Sequence, residues 1–262
     1  MVITSKENET VKHIKKLKDK KYRDESNKYI VEGLKLVKEA MITNSKIETI
    51  IICDSCEIDE KYEQKFLYDI AKYNCIYVAE KIFNTLTEVV NSQGIFAVIE
   101  KNDKEKIIDY NEDIIVALDS VQDPGNLGTI LRTLDSIGIK QVVLSKSCVD
   151  PYNSKVVRST MGAIFRINMI RVDDLVISLK EIKKHKFKIM TTALETDKLI
   201  YDVKYEKTVI VIGNEANGVS REVLDMSDTK IKIPMLGQAE SLNASVATGI
   251  VLYEYVRQKL LH

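Results

Sequence analysis

The sequence contains no tryptophan, only three prolines and only four cysteines among its 262 residues. The cysteines are irregularly spaced, which is not typical of a secreted disulfide framework. No run approaches the roughly 18 apolar residues of a membrane span, and the first residues lack the apolar core of a signal peptide. We therefore expect a cytoplasmic protein that has no membrane segment.

No cluster of residues predicts a metal site. Cys53 and Cys56 form a C-x-x-C pair, but neither Cys75 nor Cys148 supplies the second pair that a zinc site needs. The three histidines lie in no H-E-x-x-H or Ser-His-Asp pattern, so a hydrolase would lack its base. We expect a protein that functions without a metal.

Acidic and basic residues balance at 39 each, but the basic ones are concentrated near the start of the chain. Residues 11–23 contain seven lysines and arginines and one acidic residue, Asp19. Such a run can displace counterions from a phosphate backbone, or it can be the solvated face of a helix. The composition alone leaves both interpretations open.

Turn-forming residues divide the chain. Eight of the ten glycines and all three prolines follow residue 120, and the charged stretch 100–113 resembles a linker. We predict two domains, residues 1–107 and 108–262. The first alternates predicted strands with helices, which indicates a small α/β/α layer fold. Its predicted strands are 29–31, 47–53, 75–79 and 94–100, and its predicted helices are 33–41, 60–73 and 83–90.

The second predicted domain has short, continuous apolar strands separated by helices. This pattern is typical of a mostly parallel sheet that is covered on both faces, and such sheets bind ligands beyond the carboxyl ends of their strands. The predicted strands are 113–119, 141–145, 166–170, 188–192 and 208–213. The predicted helices are 127–137, 153–161, 174–185 and 242–260.

Two segments place polar residues at the start of a predicted helix. In D-P-G-N-L-G-T-I-L-R, residues 123–132, Asn126 is a candidate N-cap and Arg132 lies off the apolar stripe, where a guanidinium can bind phosphate. In S-L-N-A-S-V-A-T-G, residues 241–249, Ser241 is a candidate N-cap. A stripe predicted to be buried follows it, formed by Leu242, Val246, Ile250 and Tyr253.

A third segment, G-N-E-A-N-G at 213–218, directly follows a predicted strand. Its two glycines have the spacing of a phosphate loop, but Val219 and Ser220 stand where that loop needs Lys and Ser or Thr. The sequence contains no G-x-G-x-x-G either, so a dinucleotide site is not supported. Taken singly, each of the three segments could be a structural turn and a capped helix.

Together and in this order, the three segments resemble the motifs of the SpoU (TrmH-type) RNA 2′-O-ribose methyltransferases. The resemblance covers residues 113–262 and implies an α/β trefoil-knot (SPOUT) methyltransferase domain with a mostly parallel sheet. The preceding part resembles the smaller L30e-like α/β/α domain that binds substrate in this family. The implied reaction is methyl transfer from S-adenosyl-L-methionine to a ribose 2′-hydroxyl.

The resemblance also implies which residues form the site. The catalytic positions of the family correspond to Asn126, Arg132, Glu215, Ser241 and Asn243. The cofactor contacts, mostly through the backbone, correspond to Thr192, Leu194, Gly213, Ile233, Met235 and Leu242. The family assigns activation of the hydroxyl to the arginine, and the sequence leaves open whether Arg132 is itself the base or orients a phosphate that relays the proton.

The resemblance and the extra domain lead to expectations about partners. The family forms homodimers through the knotted domain. A separate substrate-binding domain favours ribosomal RNA (23S), because the relatives that act on tRNA usually carry short extensions instead. The alternatives are a tRNA ribose 2′-O-methyltransferase and a non-catalytic RNA-binding protein of ribosome assembly, although the latter would not need the polar set above.

Overall fold

The computed structural model describes residues 2–55, 64–101 and 107–261. The chain forms two compact units. The first comprises Met1–Lys104 together with Tyr152–Phe165, and the second comprises Glu105–Pro151 and Arg166–His262. In the described part of the chain, no helix combines the length and the apolar character that crossing a membrane requires.

The first unit is built on a five-stranded mixed sheet. Its strands are β1 (Val2–Ile3), β2 (Lys28–Glu32), β3 (Ile47–Cys53), β4 (Cys75–Val78) and β5 (Ile95–Glu100), arranged in the order β1-β4-β3-β5-β2. The helices are α1 (Glu9–Lys16), α2 (Lys20–Ser26), α3 (Leu34–Ile42), α4 (Gln64–Ile70) and α5 (Glu80–Leu86). Ile14 of α1 and Phe83 of α5 pack with Ile51 and Phe96 of the sheet in one buried core.

Two helices of the first unit differ in extent from those predicted. The helix expected at 83–90 instead begins at Glu80, because Ile82, Phe83 and Leu86 form its buried face. The chain turns extended at Thr87, whose hydroxyl donates a hydrogen bond to Glu32. The predicted helix 60–73 is described only as α4, and Cys56 lies outside the described residues.

The basic run folds into α1 and α2. Arg23 is buried, and its guanidinium donates to the carbonyl oxygens of Leu17 (2.9 Å) and Lys18 (2.8 Å), which directly follow α1. Arg23 therefore has a structural role. Lys12, Lys20 and Lys21 form ion pairs with acidic neighbours, whereas Lys15, Lys16 and Lys18 form none with the described residues. The run is less positive in the fold than its sequence suggests.

The second unit contains a six-stranded parallel sheet in the order β11-β9-β10-β6-β7-β8. The strands are β6 (Ile114–Leu118), β7 (Gln141–Ser145), β8 (Asn168–Val172), β9 (Lys188–Thr192), β10 (Thr208–Ile212) and β11 (Thr229–Ile231). The helices are α6 (Pro124–Ser136), α8 (Leu175–Lys184), α9 (Arg221–Met226) and α10 (Ala244–Leu260). The prediction of a mostly parallel sheet is confirmed. The strand expected at 166–170 lies two residues later, and α9 and β11 were not predicted.

One helix of the chain lies in the first unit although its sequence stands between β7 and β8. This helix, α7 (Ser154–Ser159), packs against β2, and Gly162 follows it in the left-handed region (φ +104°). A Cβ at Gly162 would come within 2.9 Å of Glu39 Cγ, so the glycine permits the close approach to α3. The domain limits 1–107 and 108–262 stay a prediction.

The helix starts differ from those predicted. Asp123, not Asn126, caps α6, because its carboxylate accepts from the Asn126 N–H at 2.8 Å. Asn243, not Ser241, caps α10. Asn126 therefore lies inside α6, where it is buried, and its side chain is free for contacts other than capping.

The stripe expected to be buried on α10 is on the surface. Val246 is 50% exposed and Tyr253 is 54% exposed. The residues of α10 that pack inside the unit are Ala244, Thr248, Val251, Leu252, Glu254 and Tyr255. The helix therefore uses another of its faces to pack on the unit, including against α6.

Candidate active site

The carboxyl ends of four adjacent strands, β11, β9, β10 and β6, lie along one edge of the parallel sheet. The register places Ile231 opposite Thr192, Val211 opposite Thr191 and Ile212 opposite Leu118. The loops that follow these strands therefore begin at the same level. They carry the three segments singled out in the sequence, as expected for a site at the carboxyl edge.

Gly213 lets the loop after β10 fold back on itself. A Cβ at this position would lie 2.1 Å from the carbonyl carbon of Gly218 and 2.1 Å from the Val219 nitrogen. Since both are backbone atoms, no side chain fits here. The backbones of Asn214 and Gly218 exchange two hydrogen bonds of 2.9 Å, which close the loop.

Two residues not predicted as part of the site attach this loop to the end of β6. The Asn214 side chain donates to the Ser120 carbonyl oxygen (2.8 Å) and accepts from the N–H groups of Ala216 and Asn217. The buried Asp119 carboxylate accepts from the Ser220 N–H at 2.8 Å. The sequence could have indicated both residues by their positions close after strands, because polar residues there lie at the carboxyl edge of the sheet.

Glu215 is held by donors from the start of α6. Its carboxylate accepts from the N–H groups of Gln122 (3.1 Å) and Asp123 (3.0 Å), and from the Asn126 side-chain amide (2.9 Å). Partial desolvation raises the pKa of Glu215, but the hydrogen bonds from Asn126 and from the two backbone N–H groups outweigh it and lower the pKa below its ordinary value. Glu215 is therefore an anion at neutral pH and a hydrogen-bond acceptor only.

Asn126 joins the second and third motif segments. Its Nδ2 donates to Glu215, and its Oδ1 accepts from Asn243 Nδ2 at 2.8 Å. Asn243 Oδ1 in turn accepts from the N–H groups of Ser245 (2.9 Å) and Val246 (3.3 Å) at the start of α10. The two ends of this series of hydrogen bonds fix the orientation of both amides, because the Glu215 carboxylate only accepts and the helix N–H groups only donate.

The structure thus brings together three of the five predicted catalytic residues: Asn126, Glu215 and Asn243. Arg132 lies two turns further along α6, is exposed, and forms no hydrogen bond or ion pair with the described residues. Ser241 is also exposed, and no described residue is hydrogen-bonded to its side chain. Both side chains are free to contact a ligand.

Five of the six predicted cofactor residues lie at or after the carboxyl ends of three adjacent strands. Thr192 and Leu194 lie at the end of β9, Gly213 follows β10, and Ile233 and Met235 follow β11, while Leu242 precedes α10. Two apolar side chains of this edge, Leu194 (70%) and Leu236 (99%), are exposed. Exposed apolar groups beside free strand ends are typical of a ligand site. The described residues contain no group of histidine, cysteine and carboxylate side chains arranged to hold a metal.

Comparison with known proteins decides the family. Residues 113–253 match the model of the SpoU rRNA Methylase family, and residues 8–97 match that of the MRM3-like substrate binding domain. The chain belongs to the SpoU family. The predicted family and the predicted fold class, an α/β knotted methyltransferase domain after a smaller substrate-binding domain, are confirmed.

Individual SpoU-family proteins are similar over most of the chain. The 23S rRNA (guanosine(2553)-2′-O)-methyltransferase RlmP of Bacillus subtilis is 34% identical, covering 96% of this chain and 97% of its own. The AdoMet-bound rRNA methyltransferase of Sinorhizobium meliloti is 30% identical, with a TM-score of 0.82 and 98% of each chain covered. The TrmH/SpoU tRNA modifying enzyme of A. aeolicus is 37% identical, with a TM-score of 0.51, and covers 57% of this chain and 76% of its own.

The hydrogen bonds to Glu215 predict that its negative charge stabilises the fold. In Glu215→Gln, the new amide N–H₂ faces a donor, because three N–H groups converge on the carboxylate. We expect a loss of about 1 kcal/mol in the free energy of unfolding at neutral pH, at the low end of the usual range because the group is exposed. Urea unfolding measures it, with Glu222→Gln, an exposed glutamate of α9, as the matched control.

The same loss should depend on pH. The folded pKa of Glu215 lies below its ordinary value of 4.5, so the charged form stabilises the fold above that value, and this contribution disappears as the pH falls through the folded pKa. The difference between wild type and Glu215→Gln should therefore shrink in acid. A difference that is absent at neutral pH would contradict the described hydrogen bonds.

Proposed function

We propose that the protein is an S-adenosyl-L-methionine-dependent methyltransferase that methylates a ribose 2′-hydroxyl in ribosomal RNA (23S). The observation that carries the proposal is the hydrogen-bonded chain Glu215–Asn126–Asn243, which unites the three motif segments at the carboxyl edge of the sheet. A protein that only binds RNA has no need of this hydrogen-bonded polar arrangement. The relatives named above act on RNA, and one was solved with AdoMet bound.

The residues at the edge fit this cofactor. The loop at Gly213 leaves no space for a side chain between the backbone strands, so backbone groups line the end of β10. The exposed Leu194 and Leu236 provide apolar surface for the adenine ring and the methionine chain. We assign Thr192, Leu194, Gly213, Ile233, Met235 and Leu242 to this site. When bound, the cofactor supplies an electrophilic methyl group on a sulfonium.

In the proposed reaction the ribose 2′-hydroxyl would take up the methyl group that the bound cofactor supplies, and it would give up its proton. The protein mainly aligns these groups, which lowers the entropic part of the barrier. Asn126 fixes the loop of Glu215 and the start of α10 relative to one another. Ser241 and Asn243 thereby stand at a defined place beside the cofactor loops, where Ser241 can donate a hydrogen bond to the ribose.

We assign Arg132 to the RNA backbone. An arginine side chain is a permanent cation and binds phosphate with a planar pair of donors. Arg132 is exposed and has no partner among the described residues, so it is available for the phosphate next to the reacting ribose. That phosphate accepts the hydroxyl proton in this proposal.

We prefer ribosomal RNA to tRNA as the substrate, because the first unit is a part that the rRNA methyltransferases share. The rRNA methyltransferases named above cover nearly all of this chain, whereas the tRNA modifying enzyme of A. aeolicus covers 57% of it. The additional part matches a substrate binding domain. This substrate also places the enzyme in the cytoplasm, where ribosomes are assembled.

The test is methylation of 23S rRNA by the purified protein with labelled S-adenosyl-L-methionine, followed by mapping of the ribose methyl group. Wild type should transfer one methyl group per rRNA. Arg132→Ala should lower kcat/KM about 100-fold or more while the affinity for cofactor is retained, because the residue lies off the core of α6. Arg221→Ala removes an exposed arginine of α9 and serves as the control.

Arg132→Lys should also be strongly impaired, because an ammonium group cannot form the planar pair of hydrogen bonds. Methylation of tRNA but not of rRNA would contradict the substrate assignment. A protein that binds rRNA and yet transfers no methyl group to either RNA would contradict the enzymatic assignment.

We further propose that the protein is a homodimer that buries the exposed stripe of α10. Val246, Ile250 and Tyr253 are spaced on one helix face, and two of them are half exposed. A contiguous apolar stripe on a surface helix indicates a partner surface. Gly249, where an added Cβ would meet no atom within 4 Å, leaves room for close approach of a second helix.

The dimer is tested by sedimentation equilibrium. Wild type should sediment as a dimer, and Tyr253→Arg should shift it to the monomer, because the new charge would be buried in the interface. Tyr77→Arg replaces a tyrosine of similar exposure on β4 and should leave the mass unchanged. A monomeric wild type, or a Tyr253→Arg variant that remains dimeric, would exclude this interface.

A further inference from the structure

The first unit contains a cavity of about 110 Å³ that involves none of the residues assigned above. One water needs roughly 10–15 Å³, so the cavity has room for a much larger group. Its walls come from the link between α1 and α2, from β2, from the end of α5 and from α7. Apolar side chains of all four parts line it: Leu17, Ile30, Leu86 and Val157.

Arg158 of α7 lines this cavity and carries an unused donor. Its Nη1 atom is buried and has no hydrogen-bond partner among the described residues. The nearest carboxylate oxygen, Glu88 Oε2, is 3.9 Å away, which is an ion-pair distance but too long for a hydrogen bond. A buried donor without a partner costs free energy, so a ligand that accepts from it would be stabilised there.

The cavity also contains an unused acceptor. Glu88 Oε2 accepts from the Ser154 hydroxyl, while no donor among the described residues reaches Glu88 Oε1. The other carboxylate, Glu32, is already satisfied by Thr87, by Ser92 (2.8 Å) and by the Glu88 N–H (3.3 Å). Glu88 and Arg158 therefore provide an acceptor and a donor with free hydrogen-bonding capacity in the lining.

An acceptor and a donor between apolar walls match a nucleobase better than a phosphate. A phosphate could not bond to the free acceptor of Glu88, and two of the three cations in the lining, Lys18 and Arg23, already donate to backbone carbonyl oxygens. A base has two apolar faces and a polar edge, and proteins recognise unpaired RNA bases by contacts to both. The Tyr152 ring forms part of the wall, where an aromatic group suits a base.

We propose that this cavity binds an unpaired guanine of the RNA substrate. Guanine has adjacent N1–H and N2–H₂ donors, which suit the Glu88 carboxylate, and the acceptors O6 and N7, which suit Arg158. The inference rests on the proposed function, because it assumes an RNA substrate. It adds a specific base-recognition site in the first unit, separate from the residues that align the reacting ribose.

The test measures nucleotide binding to the full chain by ligand-observed NMR, with saturating S-adenosylhomocysteine present to fill the cofactor site. GMP should bind, and IMP, which lacks only the N2 amino group, should bind about tenfold more weakly. Inorganic phosphate at the same concentration should not displace GMP. Equal binding of GMP and IMP, or displacement by phosphate, would overturn the proposal.

Variants locate the binding site. Arg158→Gln and Glu88→Gln should each weaken GMP binding about tenfold, whereas Lys81→Gln, at an exposed lysine of α5 without a described partner, should not. Glu88→Gln keeps an acceptor for Ser154, so it provides the test if Arg158→Gln does not fold. GMP binding that is unchanged in a folded Glu88→Gln variant would overturn the proposal.

The methylation assay separates this inference from the proposed function. A wild-type protein that methylates rRNA but does not bind GMP contradicts the guanine site alone. A protein that binds GMP through Glu88 and Arg158 but methylates no RNA contradicts the proposed function alone.

Discussion

The candidate site depends on the hydrogen bonds of the Asn126 side-chain amide. This amide donates to Glu215 after β10 and accepts from Asn243 at the start of α10. A buried amide must satisfy both of its ends, and here each end belongs to a different segment of the chain. The amide therefore sets the positions of three loops that are far apart in sequence. Hydrogen bonds to a charged partner such as Glu215 are the stronger ones.

The backbone of the loop after β10 is a second constraint on the candidate site. Gly213 brings the loop after β10 against itself, and Asn214 and Asp119 attach that loop to the end of β6. Because the strands are parallel and adjacent, their loops all leave the sheet at one edge. The buried sheet holds these loops in place, while their exposed side chains remain available to cofactor and RNA. Rigid positioning by the scaffold and exposure of the reacting groups are both needed for methyl transfer by alignment.

Much of this architecture could be predicted from the sequence, because apolar strands of a parallel sheet are continuous and bounded by turns. The strands at 141–145 and 188–192 were predicted to the residue. Helix starts were less predictable, since several polar residues could cap α6 and α10, and only the three-dimensional contacts select Asp123 and Asn243. The surface position of Val246 and Tyr253 was also hidden, because an apolar stripe has the same spacing whether it packs inside the chain or against a partner.

The roles of individual charged residues could be recognised only in the structure. Arg23 looks like one more cation of a basic run, yet it is buried and bonded to backbone carbonyls. The Arg158–Glu88 pair has no sequence signal, because its partners are brought together only when α7 packs in the first unit. Asn214 and Asp119 were likewise missed, since their hydrogen bonds link strands that are about a hundred residues apart in the chain.

The most direct test of the role of Asn126 is the kcat/KM of an Asn126→Asp variant on 23S rRNA. The new carboxylate has nearly the shape of the amide but cannot donate to Glu215, and it places two negative charges at hydrogen-bond distance. We predict a folded protein whose kcat/KM is lower by about 100-fold or more. Near-normal turnover by this variant would contradict the account, because the three segments would then be positioned without the amide.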